Sequence, residues 1–139
     1  FLLLPPGAEK YNVTIDWNLE NTFVDARGIT SLGEGRVSAS EPMSGTELRM
    51  MFYMAGNVHS WPEVIPETGY FSAWHGTPSF DTKVLMQWTG GLYAHYSELF
   101  KQENPPPYGV FLRYNPVNAG GGLGLHRSHL TKFGTGDST

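Results

Sequence analysis

The sequence predicts an α+β fold, in which a mostly antiparallel β-sheet carries one long helix, about 79–102, packed on it. Several short runs alternate apolar and polar residues, as half-buried strands do, and one segment repeats apolar residues at helical spacing. The order of these segments is several strands, one helix and a further strand. With 139 residues, we expect the chain 1–139 to form a single domain with a real core.

Composition excludes several classes of function. Hydrophobic residues make up 40% and charged residues 16% of the chain, which is typical of a globular domain. The net charge of −4 and the absence of basic clusters argue against a nucleic-acid partner. No apolar run is long enough for a membrane span. With no cysteine, neither a disulfide framework nor a thiolate site is expected, and the cellular compartment stays open.

The first half of the chain is read as strands. In Lys10–Leu19 the apolar residues recur at every second position, which predicts one half-buried strand. The methionines of the apolar run near residue 50 are interpreted as core residues rather than ligands. The other predicted strands in this half are Phe1–Leu4, Arg36–Ser40 and Glu47–Ala55.

A strand at Tyr70–Trp74 is followed by the predicted helix. Thr77 offers an N-cap residue and Pro78 suits the first helical position, with Asp81 near the positive end of the helix. We expect the adjacent Gly90 and Gly91 to allow close packing against the sheet. A possible junction between two parts of the domain is predicted near residues 76–80, between the strand and the helix. The apolar stripe expected to face the sheet is Leu85, Trp88, Leu92, Tyr96 and Leu99.

The stretch Tyr108–Leu130 organises the rest of the chain. Tyr108–Tyr114 alternates as a strand, and Pro116 then breaks the pattern because proline cannot donate a backbone hydrogen bond. Three consecutive glycines, at 120–122, follow. They are consistent with a flexible turn or with a sheet edge that another backbone approaches closely.

No complete active site is predicted. His126 and His129 lie three residues apart, but in a strand or loop this spacing does not bring two ligands together. The sequence contains neither H-E-x-x-H nor G-x-S-x-G, so Ser128 lacks the surroundings of a nucleophile. Gly120–Gly124 also lacks the lysine of a phosphate-binding loop. We therefore expect no catalytic residue and no metal ligand in this chain.

The stretch YGVFLRYNPVNAGGGLGLHRS, residues 108–128, resembles a segment of the glycyl-aminopeptidase family of zinc metallopeptidases, relatives of the gluzincins. In that family a helix and a strand lead to an edge strand of the pattern G-G-x-E-H-x-x-S, and H-E-x-x-H follows later. Gly121, Gly122 and Leu123 match its opening, and Ser128 matches its closing serine.

The resemblance implies that this chain is the non-catalytic, pre-catalytic part of a larger zinc aminopeptidase. Gly121, Gly122, Leu123 and Gly124 would then form the substrate-binding edge strand, with a peptide as partner. Zinc would be held by residues beyond Thr139. Gly124 stands where the family has an acidic residue that recognises the free amine of the substrate. An exposed edge of this kind can also pair with another copy of the chain.

A second interpretation belongs to another functional class. Aromatic residues make up 14% of the chain, which is compatible with a carbohydrate- or protein-binding β-module. Trp61 and Trp74 flank loops and are its candidate contact residues, whereas Trp17 and Trp88 are expected in the core. A purely structural domain is the third alternative. Exposure of Trp61 and Trp74 would favour the binding module.

Overall fold

The computed structural model describes residue 4 and residues 7–22, 24–117 and 119–134. Within them lie two helices, α1 (Gly45–Arg49) and α2 (Thr82–Leu99), and twelve strands. The predicted strand Phe1–Leu4 falls outside the described residues except for Leu4. In chain order the strands are β1 (Lys10–Tyr11), β2 (Thr14–Ile15), β3 (Arg27–Thr30), β4 (Gly33–Glu34), β5 (Val37–Ser38), β6 (Met43–Ser44), β7 (Tyr53–Gly56), β8 (Val58–Trp61), β9 (Tyr70–His75), β10 (Tyr108–Tyr114), β11 (Gly122–Leu125) and β12 (Ser128–Phe133).

The largest sheet has five strands in the order β11-β12-β10-β9-β8, so β11 and β8 are its edges. Strands β9, β10 and β12 are parallel, and each edge strand is antiparallel to its neighbour. The smaller sheets β4-β3-β7, β1-β6 and β2-β5 are antiparallel throughout. The predicted α+β fold with mostly antiparallel pairing is confirmed. Helix α2 makes the long connection that the parallel pair β9 and β10 requires.

The five-stranded sheet has two covered faces. On the core face, Phe71, Phe111 and Leu130 pack against Ile29 and Met54 of the three-stranded sheet. On the opposite face, which we call the helix face, α2 covers a second cluster. That cluster consists of Trp74, Met86, Val110, Leu112 and Phe133. Residues from both sides of the predicted junction near 76–80 therefore contribute strands to one sheet.

Helix α2 begins later than predicted. Asp81 is its N-cap, and its carboxylate accepts a hydrogen bond from the backbone N–H of Val84 at 3.1 Å. The helix predicted at about 79–102 is confirmed, and its start lies a few residues later because the aspartate caps the helix instead of occupying its first turn. The helix ends at Leu99, close to the predicted end.

The predicted apolar stripe of α2 does not face the sheet. The buried residues of the helix are Thr82 and Met86, whereas most of the stripe lies on an exposed flank. Gly90 shows which side of the helix contacts the sheet. A Cβ built at Gly90 would lie 2.7 Å from the ring of Trp61 in β8, so the helix packs on the sheet through this side. The predicted close packing holds for Gly90 but not for Gly91, which faces open space. The exposed stripe residues are Trp88 (65%), Leu92 (39%), Tyr96 (48%) and Leu99 (61%).

The predicted strand Glu47–Ala55 was wrong in its first half, where α1 forms. The Ser44 hydroxyl accepts a hydrogen bond from the backbone N–H of Glu47, and the Glu47 carboxylate accepts one from the backbone N–H of Ser44. This reciprocal capping box favours a helix over a strand. Met51 is buried as predicted for a core residue, but Met50 is 42% exposed at the end of the helix.

The predicted strand Lys10–Leu19 forms only β1 and β2, separated by two residues. Side-chain burial nevertheless alternates through the whole segment, as predicted. The strands are short because their partners β6 and β5 contain only two residues each. The predicted strand Arg36–Ser40 likewise shortens to β5.

Candidate functional site

The glycine run divides into a turn and an edge strand. Gly120 and Gly121 adopt positive φ angles of 78° and 71°, which favour glycine. The extended strand begins only at Gly122, so the expectation of an extended Gly121 was wrong. Strand β11, Gly122–Leu125, lies at the margin of the five-stranded sheet and is largely exposed. The run therefore combines a turn, at Gly120 and Gly121, with the start of an edge strand, at Gly122.

The hydrogen-bond pattern fixes which groups of β11 face outward. The N–H of Lys132 donates to the carbonyl of Gly121 at 3.2 Å, and residues of β11 pair with β12 in antiparallel register from that point. Since hydrogen-bonded positions alternate in an antiparallel pair, Leu123 and Leu125 bond to β12. The backbone N–H and C=O groups of Gly122 and Gly124 therefore point away from the sheet. Strand β12 is the sole strand that pairs with β11 in the part of the chain that the structure describes.

Both ends of β11 are fixed by hydrogen bonds. At the start, the N–H of Gly120 donates to the carbonyl of Lys132 at 3.1 Å. At the end, the N–H of His126 donates to the carbonyl of Met50 at 2.7 Å. An edge strand held at both ends loses little conformational freedom when another strand pairs with it, which favours binding.

Ser128 contributes to the second anchor. It is 1% exposed, and its hydroxyl donates to the carbonyl of His126 at 3.1 Å. The Ser31 hydroxyl lies 2.8 Å from that of Ser128 and accepts a hydrogen bond from the backbone N–H of Phe52. Because each hydroxyl has one proton, Ser31 donates to Ser128. Ser128 thus has a structural role, because its hydroxyl links the turn after β11 to Ser31, the residue that follows β3.

The two outward-facing glycines have different surroundings on the helix face. A Cβ built at Gly122 would lie 2.6 Å from Nε2 of His129, so the imidazole occupies the space of a side chain at this position. A Cβ built at Gly124 would meet nothing within 4 Å. Gly122 is therefore required by packing, whereas the open space at Gly124 has no such explanation among the described residues.

An apolar groove of about 410 Å³ adjoins this edge on the helix face, between the flank of α2 and the sheet. Its lining residues include no aspartate, glutamate, lysine or arginine. Burial raises the pKa of Tyr70 to about 12. The lining of the groove includes Leu92 and Tyr96 of α2, Val110 and Leu112 of β10, and His129 and Thr131 of β12.

Sequence reasoning missed His129 as part of this site. It placed Gly121, Gly122, Leu123 and Gly124 together, and the structure brings the last three onto one edge strand. His129 enters the site only because β12 pairs with β11 and directs the imidazole across to Gly122. The alternation of buried Ser128 and Leu130 in β12 was the local signal that could have placed His129 on the opposite face.

The tryptophans do not form the exposed pair that the binding-module interpretation requires. Trp74 is 8% exposed, and Trp61 is half-buried against Tyr70 and Gly90. Trp88, predicted in the core, is 65% exposed on α2. Trp17 is partly buried, and its indole N–H has no hydrogen-bond partner among the described residues.

No group of three histidine, cysteine, aspartate or glutamate side chains that could hold a metal occurs within residues 7–22, 24–117 and 119–134. The described residues therefore do not fit a catalytic zinc. None of the helices in the described part of the chain has the length and apolar character needed to cross a membrane. No family model, curated protein or solved structure matches this chain.

Proposed function

We propose that this chain is the non-catalytic segment of a zinc metallopeptidase related to the glycyl-aminopeptidases, and that β11 binds the peptide substrate along its free edge. The proposal is carried by one observation, the outward-facing backbone groups of Gly122 and Gly124 on an anchored, exposed edge strand. These two residues offer up to four main-chain hydrogen bonds to an added strand. Such main-chain pairing gives affinity, and any selection among peptides comes from the space available to their side chains.

In this proposal residues 1–139 form one domain that precedes the catalytic part of a larger protein. Zinc and the H-E-x-x-H ligands belong to that further part, because the described residues supply no metal site. Helix α2 contacts β8 and β9 of the five-stranded sheet.

Main-chain pairing can be tested with blocked valine–threonine peptides that carry N-methyl groups at alternate positions. N-methylation removes a donor, so it should weaken binding at every second peptide residue and have little effect at the residues between. Binding would be followed through the ¹⁵N chemical shifts of Gly122 and Gly124, with the chain diluted until self-pairing is excluded. Equal effects of N-methylation at all positions, or no shift change in β11, would contradict the proposal.

A further inference from the structure

We infer that the β11 edge selects extended peptide segments that place an aromatic or large aliphatic side chain over Gly124, rather than peptides with a free amino terminus. This inference rests on the proposed function and names the substrate class of the same site. Three observations carry it: the open position at Gly124, the placement of the His129 imidazole, and the absence of carboxylates in the adjoining groove.

The open position at Gly124 provides the space. Gly124 directs no side chain onto the helix face and no other group fills its position, so a strand paired with β11 meets bare backbone there. An added strand lies about 4.8 Å outside β11. Aromatic and long side chains reach across such a distance to diagonal neighbours, and an aromatic ring that lies over a glycine in the next strand stabilises β-sheets.

His129 limits this space on one side. The imidazole fills the position beside Gly122, 2.6 Å from the site of a Cβ, and leaves the position beside Gly124 free. A side chain that enters over Gly124 therefore has the glycine backbone beneath it and the imidazole as a neighbour. An aromatic ring can stack on such a surface, whereas a small side chain leaves the surface exposed to water.

The charge of the surroundings disfavours a free amine. The residues that line the groove include no aspartate or glutamate. An ammonium group placed there would lose its hydration without gaining a carboxylate partner. Glu47 interacts with His126, which follows β11, and its carboxylate accepts a hydrogen bond from the backbone N–H of Ser44. A blocked or internal peptide segment avoids this cost.

The test compares blocked peptides of one sequence that differ only at the central residue, which is phenylalanine, glycine or lysine. A fourth peptide has glycine at its centre and a free amino terminus. Affinities for the isotope-labelled chain would be measured from the shifts of Gly122 and Gly124. We expect the phenylalanine peptide to bind at least about tenfold more tightly than the glycine and lysine peptides. The free amino terminus should give no advantage.

Two test variants and one control variant locate the effect. Gly124→Leu fills the open position, and it should remove the preference for phenylalanine while the chain stays folded, because a Cβ meets nothing there. Gly91→Leu is the matched control, since Gly91 is equally open but lies on α2 away from β11, and it should keep the preference. His129→Ala should reduce the preference without abolishing binding of the glycine peptide.

The outcomes separate this inference from the proposed function. If all blocked peptides shift β11 with equal affinity, main-chain pairing stands and the side-chain preference is refuted. Tighter binding of the peptide with a free amino terminus would also refute it. If no peptide shifts the resonances of β11, the proposed function itself fails, and the inference fails with it.

Discussion

Gly122 and Gly124 lie two residues apart on β11, and a matched pair of substitutions distinguishes their roles. Gly122→Val forces the His129 imidazole aside and crowds the Leu130 carbonyl, so we expect a loss of about 1–3 kcal/mol in the free energy of unfolding. Gly124→Val should change it by less than about 1 kcal/mol, since its Cβ meets open space. Urea denaturation measures both values.

The double variant Gly122→Val with His129→Ala is the control for this pair. Removing the imidazole should recover part of the loss, because the crowding then disappears. Equal destabilisation by the two valine variants would show that the imidazole does not occupy the space beside Gly122.

His126, at the end of β11, makes the stability of the chain depend on pH. Burial lowers the pKa of His126 below its ordinary value of 6.5, the charge of Arg127 lowers it further, and Glu47 opposes both. The unfolded chain therefore takes up the proton at a higher pH than the folded chain. The stability that neutral His126 contributes is therefore complete above pH 6.5 and decreases as the pH falls below that value.

We expect the free energy of unfolding to fall between pH 7.5 and pH 5.5, and to fall less in His126→Gln. Urea denaturation at both pH values provides the measurement. The variant His95→Gln, at an exposed histidine of α2, is the matched control for the substitution itself. An equal fall in the chain with His126 and in His126→Gln would rule out this histidine as the cause.

At the scale of elements, the contact face of α2 depends on one of two adjacent glycines. Gly91→Ala should stabilise the chain by about 1 kcal/mol, because alanine favours the helix and its Cβ meets nothing. Gly90→Ala should destabilise it, because the Cβ would lie 2.7 Å from the ring of Trp61. Thermal unfolding of both variants tests this prediction, and a gain in both would mean that α2 does not contact β8 at Gly90.

The elements also differ in how far the sequence predicts them. Local patterns predict α2 and the alternating burial of Lys10–Leu19, since both depend on residues close in the chain. The apolar run after Ser44 concealed α1, although the capping box with Glu47 was readable. The face that α2 presents, and the place of β11 at the sheet edge, depend on pairing between distant residues, which local patterns do not encode.

At the scale of the whole molecule, the proposal requires a catalytic part outside this chain. The gene should continue beyond Thr139 into a helix that bears H-E-x-x-H within about a hundred residues, since that helix must pack on the same sheet. Sequencing the gene tests this expectation. A stop codon soon after Thr139 would contradict the metallopeptidase proposal.

The chain of 139 residues alone should hold no stoichiometric zinc and cleave no peptide, because the described residues offer no group of metal ligands. Metal analysis of protein purified without chelators, combined with an assay on blocked and unblocked peptides, measures both properties. One tightly held zinc per chain would place a metal site within this segment and contradict the division of roles proposed for it.

Residue-resolved hydrogen exchange with and without a blocked extended peptide tests the central claim most directly. In the free chain, the amides of Gly122 and Gly124 should exchange rapidly and those of Leu123 and Leu125 slowly, since only the leucines bond to β12. Saturating peptide should slow exchange at the two glycines and leave the two leucines unchanged. Protected glycine amides in the free chain, or glycine exchange that the peptide does not alter, would contradict a substrate-binding edge at β11.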